Sequence, residues 1–172
     1  MSIAVIVLSP ICAVAGFIFK LYVDKFTEHK ISLREKKIKD VEYKLKEFYC
    51  PLYTNLNSQT IVTREFVHLK GNLIFELEKF VLESHKANQL IIQNHMVTVN
   101  PDKTIQKLLL EYNDHIIVYK LMMDMQSVSE TNNVTVMFLT KTVPYPKKLF
   151  ELIETELNVL RLELDGLHNS MV

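Results

Sequence analysis

The N-terminus of the chain is an uncharged apolar segment, and it constrains the fold more than any other feature. Residues 1–19 carry no charged side chain, and between positions 3 and 23 the only charge is that of Lys20. As an α-helix the stretch 3–23 is about 31 Å long, close to the hydrocarbon thickness of a bilayer. The sequence therefore predicts a transmembrane anchor over residues 1–23, with the rest of the chain on one side of the membrane.

A cleaved signal peptide is the main alternative for this segment, because Ala13-Val14-Ala15 is similar to a cleavage site. No basic residue precedes the apolar run, however, and the run resumes with Phe17 directly after Gly16. We therefore favour an uncleaved anchor over a signal peptide, and over a buried helix of a soluble protein.

The charges that flank the anchor predict its orientation. The N-terminal side has only the α-amino group, whereas Lys20, Lys25 and Lys30 open a basic cluster that continues to position 39. Positive residues stay on the cytoplasmic side, so we expect the N-terminus outside and a cytosolic C-terminal body. The same three lysines are candidate contacts for anionic lipid headgroups, which makes the bilayer the first predicted partner.

Composition limits the remaining classes of fold and function. The net charge is zero and the pI is about 7.0, with no basic stripe interleaved with aromatic residues, so we expect no nucleic-acid partner. Two cysteines do not make a disulfide framework. Three glycines in 172 residues leave little material for tight turns or a multi-stranded sheet. The sequence predicts an all-α fold.

Residues 24–50 are predicted to form a charged amphipathic stalk helix that continues from the anchor. Its apolar residues recur at heptad-like spacing: Ile31, Ile38, Val41, Leu45, Phe48 and Leu52. We interpret this stripe as the inward face of an intramolecular bundle, and a parallel homo-oligomeric stalk is the alternative. Pro51 predicts a kink or a helix break after the stalk.

Residues 51–172 are predicted to form a small antiparallel helical bundle on which the stalk packs. One apolar stripe runs from Val62 through Gly71 towards Leu90 and Ile91, and Gly71 either weakens its helix locally or lets a neighbour approach closely. Two further helices are predicted from two apolar stripes and their end signals, with Asn100 as the N-cap of the first and Gly166 placed to cap or fray the end of the second. Their apolar positions are Leu108, Leu109, Tyr112, Ile116, Tyr119 and Met123 in the first, and Leu149, Ile153, Leu157, Leu160, Leu164 and Leu167 in the second.

One short β ladder is a further prediction. Residues 96–99 and 134–143 are both rich in β-branched side chains and could pair as a hairpin-like ladder. Between the predicted helices, Pro144 and Pro146 interrupt regular structure before the last helix begins.

No motif predicts catalysis, a cofactor or a metal site. Glu65 and His68 form a Glu-x-x-His, but a di-iron bundle needs this motif twice. Glu111 and His115 have the wrong spacing for this motif, and Asp165 and His168 lie at the chain end. The clustered methionines Met122, Met123 and Met125 are typical of a core rather than of a plastic binding surface.

Two segments carry a resemblance to a known group of proteins. Residues 46–53, Lys-Glu-Phe-Tyr-Cys-Pro-Leu-Tyr, resemble a Phe/Leu-Tyr-x-Pro-Leu/Ile-Tyr signature, and residues 145–150 resemble a closing Pro-x-x-Leu/Phe element. Both are found in uncharacterised single-span helical membrane proteins of large DNA viruses and some microbes. The resemblance implies a membrane-anchored helical domain and carries no catalytic residues. Cys50 departs from it, standing where an aromatic or small residue is expected.

Tyr49, Pro51 and Tyr53 are the candidate structural or interaction corner of the chain. We interpret them first as a packed corner where the stalk meets the bundle, and second as a binding site. The function that the sequence favours is a membrane-anchored interaction or scaffold protein with an unknown protein partner. An oligomeric membrane-active effector or pore component is the alternative, and an enzyme with an unrecognised site is the third hypothesis.

Overall fold

The computed structural model describes residues 3–66, 72–128 and 145–169 of the chain, with side chains described for residues 16–62, 64, 76–124 and 145–169. Within these ranges the chain is helical and contains no strand, which confirms the predicted all-α fold. The elements are α1 (Ile3–Tyr43), a π-helical segment (Lys44–Tyr49), α2 (Cys50–Phe66), α3 (Asn72–Val99), α4 (Lys103–Val128) and α5 (Lys148–Asn169).

The elements form an antiparallel bundle, as predicted. α1, the π segment and α2 make one continuous helix, here called the long helix, which packs on α3 and α5, while α4 packs on the same two helices. Contacts across the bundle set the directions of the helices. Tyr43 and His95 meet near one end of α3, and Gln59 meets His85 further along, so α3 runs opposite to the long helix.

The apolar core lies where all four helices overlap. Its largest buried side chains come from the middle of the long helix, from α4 and from the first half of α5. The members are Val41, Leu45, Phe48, Tyr49, Leu52, Leu56, Ile92, Val99, Ile105, Leu109, Tyr112, Ile116, Leu149, Ile153, Leu157 and Leu160. The stalk stripe is therefore buried within its own chain from Val41 onward, whereas Ile31 remains exposed.

The helix break expected at Pro51 does not occur. The π segment ends at Tyr49 and α2 begins at Cys50 without an intervening loop, with the Cys50 N–H bonded to the Leu45 carbonyl five residues back. A π turn is wider than an α turn, and it lies directly before Pro51, where the proline ring would otherwise clash with a carbonyl of the preceding turn. The proline is thus accommodated by a local change of helix type.

A single helix through Gly71 was the wrong interpretation of the apolar stripe after Val62. α2 ends at Phe66 and α3 begins at Asn72, and the two pack against each other in opposite directions. Leu90, which the stripe placed inward, is 59% exposed. The stripe combined apolar residues from two antiparallel helices, which periodicity alone does not separate.

Asn100 is not the N-cap of α4. Its φ of 48° lies in the left-handed region and its N–H bonds to the Met96 carbonyl at 2.9 Å, so Asn100 ends α3. Asp102 caps α4 instead, because its Oδ1 accepts a hydrogen bond from the Thr104 N–H at 2.7 Å. In the short connection between these two helices, Asn100 therefore terminates α3 and Asp102 caps the start of α4.

Two smaller predictions are also wrong. Residues 96–99 are the last turn of α3 and not a strand, while their proposed partner, 134–143, lies outside the described residues. Helix propagation from α3 and its capping at Asn100 outweigh the β-branched composition of this short patch. Gly166 does not cap α5, which continues three residues further to Asn169.

The first part of α1 projects beyond the rest of the bundle. Every residue from 16 to 33 is exposed, and the run includes the large apolar side chains of Phe17, Ile18 and Phe19. The predicted anchor, residues 1–23, lies mostly outside the positions whose side chains are described. From Gly16 onward, among the described residues, no helix combines the length and apolarity needed to cross a membrane.

Candidate functional site

Buried polar groups gather at one edge of the apolar core, where α2, α3 and α4 meet the start of α5. Gln59, His85 and Asn88 are the buried polar side chains of the described part of the chain. They lie among aromatic rings from α4 and beside the ring of Tyr145, which precedes α5. We call this set the polar cluster: Gln59, His85, Asn88, Tyr112, His115, Tyr119 and Tyr145.

The hydroxyl of Tyr112 is the centre of the hydrogen bonds in the polar cluster. Its oxygen accepts a hydrogen bond from Asn88 Nδ2 at 2.8 Å and lies 2.8 Å from His85 Nδ1. The hydroxyl proton is donated to Gln59 Oε1 at 3.4 Å, and the direction of the contact with His85 depends on the tautomer of the imidazole. Gln59 Nε2 is 3.2 Å from the same His85 nitrogen.

A second layer of contacts extends the polar cluster to solvent. Asn88 Oδ1 accepts a hydrogen bond from Asn55 Nδ2 at 2.9 Å, which links α3 to α2. Gln89 Nε2 donates to Asn113 Oδ1 at 3.0 Å, which links α3 to α4. The amide groups therefore connect three helices in one register, because a shift of either pair would leave polar atoms unpaired.

The rings of the polar cluster pack edge to face around His85. The His85 ring centroid is 5.0 Å from that of Tyr119 and 5.6 Å from that of His115. Tyr145 stands edge-on to both Tyr112 and His115, at 5.6 Å from each. The Tyr145 hydroxyl is buried and has no hydrogen-bond partner among the described residues.

Burial sets the protonation states of the polar cluster. Desolvation, with a smaller contribution from the neighbouring His115, lowers the pKa of His85 to about 4. Desolvation raises the pKa of Tyr112 to about 12, and the same effect, with Glu78 nearby, raises the pKa of Tyr119 to about 12. These groups are neutral at pH 7, so the arrangement is suited to fixing helix positions and poorly suited to proton transfer.

Sequence reasoning missed most of the polar cluster. The signal was present in α3, where His85, Asn88, Ile92 and Val99 recur at spacings of three, four and seven and all are buried. His85 and Asn88 lie on the same buried face of α3 as the apolar residues, because Tyr112 on α4 provides a hydrogen-bond partner for both. A periodicity search restricted to apolar residues does not detect them.

The predicted corner is well packed. Tyr49 is fully buried in the π segment, with its ring edge-on to Phe48 at 5.1 Å. Burial raises the pKa of Tyr49 far above its ordinary value. Tyr53 is half-buried, stacks on Phe150 at 5.3 Å, and donates a hydrogen bond to Glu154 Oε1 at 3.0 Å. Tyr53 thus joins the long helix to α5, Tyr49 belongs to the apolar core, and Pro51 is half-buried.

The three candidate headgroup contacts lie on the projecting part of α1. Lys20, Lys25 and Lys30 are all exposed, and the Lys30 Nζ lies 4.6 Å from the ring centroid of Phe26. They point in different directions around the helix, since positions five residues apart are about 140° apart. The polar cluster and these lysines are therefore separate regions of the molecule.

The histidines considered as metal ligands are not brought together. Glu111 pairs with Lys107 at 3.8 Å, and His115 packs within the polar cluster, while Asp165 and His168 are exposed at the end of α5. His68 lies outside the described residues, as does the side chain of Glu65. Among the residues that the structure describes, no three metal-ligating side chains converge.

Comparisons with known proteins add no functional information: no family model, curated protein or solved structure matches the chain. The resemblance to single-span viral and microbial proteins stays a prediction.

Proposed function

We propose that the chain is a membrane-anchored interaction protein, in which the N-terminal segment holds a helical bundle at the cytosolic face of a membrane for a protein partner. The observation that carries the proposal is the projecting end of α1. Phe17, Ile18 and Phe19 are consecutive, so they face different sides of the helix, and their exposed fractions are 63%, 60% and 70%. An apolar surface on all sides of a lone helix is unfavourable in water and favourable in lipid.

The charge pattern supports the orientation. The uncharged residues 1–19 precede this projection, and the basic cluster that starts at Lys20 follows it. Lys20, Lys25 and Lys30 would then contact headgroups on the cytosolic side. The resemblance of residues 46–53 to single-span proteins points in the same direction.

The bundle itself supports a binding role more than a catalytic one. Its buried polar groups are neutral at pH 7 and bonded to one another, as the polar cluster illustrates. Its surface, in contrast, carries large apolar side chains on one face of α4, at Leu110, Ile117 and Leu121. Such a stripe on an otherwise charged helix is typical of a contact surface.

Extraction and protease protection test the anchor and its orientation. The full chain should resist alkaline carbonate extraction from membranes, whereas a variant with Ile11→Lys and Val14→Lys should be extracted. Leu162→Lys, which adds a charge at an exposed position of α5, is the matched control and should remain in the membrane. Protease added to the cytosolic side of sealed vesicles should degrade the body. A glycan on Asn133, or a mature N-terminus at Gly16, would contradict the proposal.

A further inference from the structure

An exposed apolar stripe continues from the projecting end of α1 along one side of the helix. Phe19, Phe26 and Leu33 recur every seven residues, and Tyr22 lies between the first two. At 3.6 residues per turn, all four directions fall within about 40° of that of Phe26. Their exposed fractions are 70% for Phe19, 71% for Tyr22, and 51% for both Phe26 and Leu33. We call these four residues the outer stripe.

The outer stripe is not the face that α1 uses in its own bundle. The bundle face is marked by Val41, which is buried, and by Ile38, which is half-buried. The mean direction of these two residues is about a quarter turn away from Phe26. Beyond Leu33 the two faces meet, because Lys37 points about 20° from Phe26 and pairs with Glu163 of α5 at 2.8 Å. A second surface can therefore cover the outer stripe from Phe19 to Leu33 without displacing the core of the bundle.

The charged residues from position 24 to position 37 are sorted around the outer stripe. The three acidic residues Asp24, Glu28 and Glu35 all point about 160–200° away from Phe26. The cations of the same stretch all point within about 100° of it: Lys25, Lys30, Arg34, Lys36 and Lys37. One side of this helix is thus apolar with basic borders, and the opposite side is acidic.

This arrangement favours an anionic lipid surface as the occupant. A helix that lies in a membrane interface buries an apolar, aromatic-containing face and places basic residues at its borders, where they meet anionic headgroups. A second copy of the chain fits less well, because the lysines that border the outer stripe would face those of the copy. The acidic residues lie where they face away from the lipid.

We propose that α1 leans on an anionic membrane surface through the outer stripe, from Phe19 as far as Leu33. The inference rests on the proposed anchor and adds to it a tilt and a lipid preference. An upright helix would place Leu33 about 15 Å above Val23, beyond contact with the acyl chains. A tilt towards the outer stripe within the range of membrane-spanning helices, up to about 40°, lowers Leu33 to about 11 Å above Val23 while residues 3–23 still cross the bilayer, and it fixes which side of the bundle faces the membrane.

A single-tryptophan comparison tests this geometry, because the chain contains no tryptophan. Leu33→Trp places the reporter on the outer stripe, and Glu35→Trp places a matched reporter at nearly the same height on the opposite side. The full-length variants are reconstituted in vesicles of phosphatidylcholine, with or without phosphatidylserine, containing lipids brominated on the acyl chains. We expect stronger quenching and a more blue-shifted emission for Leu33→Trp than for Glu35→Trp, and only with phosphatidylserine.

Charge reversal provides a second test of the leaning helix. Lys30→Glu, introduced into the Leu33→Trp chain, should reduce the quenching several-fold, because it places a carboxylate beside the outer stripe. Lys39→Glu makes the same change in net charge on the acidic side of the helix and should leave the quenching unchanged.

The outcomes separate this inference from the proposed function. If the chain floats with vesicles but Leu33→Trp is not quenched, or if both reporters are quenched equally, the leaning helix is wrong and the anchor stands. Quenching that is equal with and without phosphatidylserine contradicts the anionic preference. A chain that floats with neither type of vesicle contradicts the anchor, and the inference fails with it.

Discussion

The hydroxyl oxygen of Tyr112 lies 2.8 Å from Nδ1 of His85, and both side chains are buried between α3 and α4. The same oxygen accepts a hydrogen bond from Asn88 at 2.8 Å. One hydroxyl therefore satisfies two polar groups that α3 turns towards the core. Burying His85 and Asn88 without it would cost free energy, since unpaired polar groups lose their hydration without compensation.

Tyr112→Phe should lower the free energy of unfolding by about 1–3 kcal/mol, because it leaves Asn88 and His85 without their shared partner. Tyr145→Phe is the matched control. It removes the same atom from an adjacent ring, but the Tyr145 hydroxyl is buried without a partner among the described residues, so its loss should be neutral or stabilising. Urea unfolding of the full chain in mild detergent measures both. Equal destabilisation by the two variants would contradict the assigned role of Tyr112.

The stability of the bundle should fall as the pH falls from about 6.5 to 4. In the unfolded chain a histidine binds a proton below its ordinary pKa of 6.5, whereas burial lowers the pKa of His85 to about 4 in the folded state. The unfolded state therefore binds more protons in this window, and the loss reaches about 3 kcal/mol once the pH is below 4. His115, Tyr112 and Tyr119 surround the ring and supply no negative charge at these pH values.

Unfolding curves across this pH window test the assignment to His85. His85→Gln should flatten the dependence, because the variant has no proton to bind at this position. His168→Gln, which alters an exposed histidine at the end of α5, should keep the slope of the parent. A slope that persists in His85→Gln would assign the dependence to other groups.

The general architecture was predictable from the sequence, and the reasons are local. α5 is amphipathic enough that Leu149, Ile153, Leu157 and Leu160 identify its buried face from spacing alone. The apolar stripes of α2 and α3, on either side of Gly71, could not be told apart from the sequence, because their spacing is compatible with one continuous helix. The polar cluster was not predictable either, since whether His85 faces inward depends on a hydroxyl that Tyr112 brings from another helix.

The connection between α3 and α4 should respond differently to changes at its two ends. Asp102→Ala removes the cap that accepts the Thr104 N–H and should cost about 1 kcal/mol of stability. Asn100→Gly should be neutral or slightly stabilising, because glycine adopts the positive φ of 48° more readily than asparagine. Thermal unfolding followed by circular dichroism distinguishes the two. If Asn100→Gly is the more damaging change, the cap assignment is wrong.

Tyr49→Ala should lower the melting temperature clearly, even without any partner. The side chain is 1% exposed and packs edge-on to Phe48, and truncating a buried aromatic residue costs about 3–5 kcal/mol. A bundle of this size has a total stability of about 5–15 kcal/mol, so the loss is a large fraction of it. Tyr53→Ala is the comparison within the same corner: Tyr53 is half-buried and its hydrogen bond to Glu154 is partly solvated, so we expect a smaller effect. If Tyr49→Ala melts like the parent but loses a co-purifying protein, the corner is a binding site, and its packing role is the wrong interpretation.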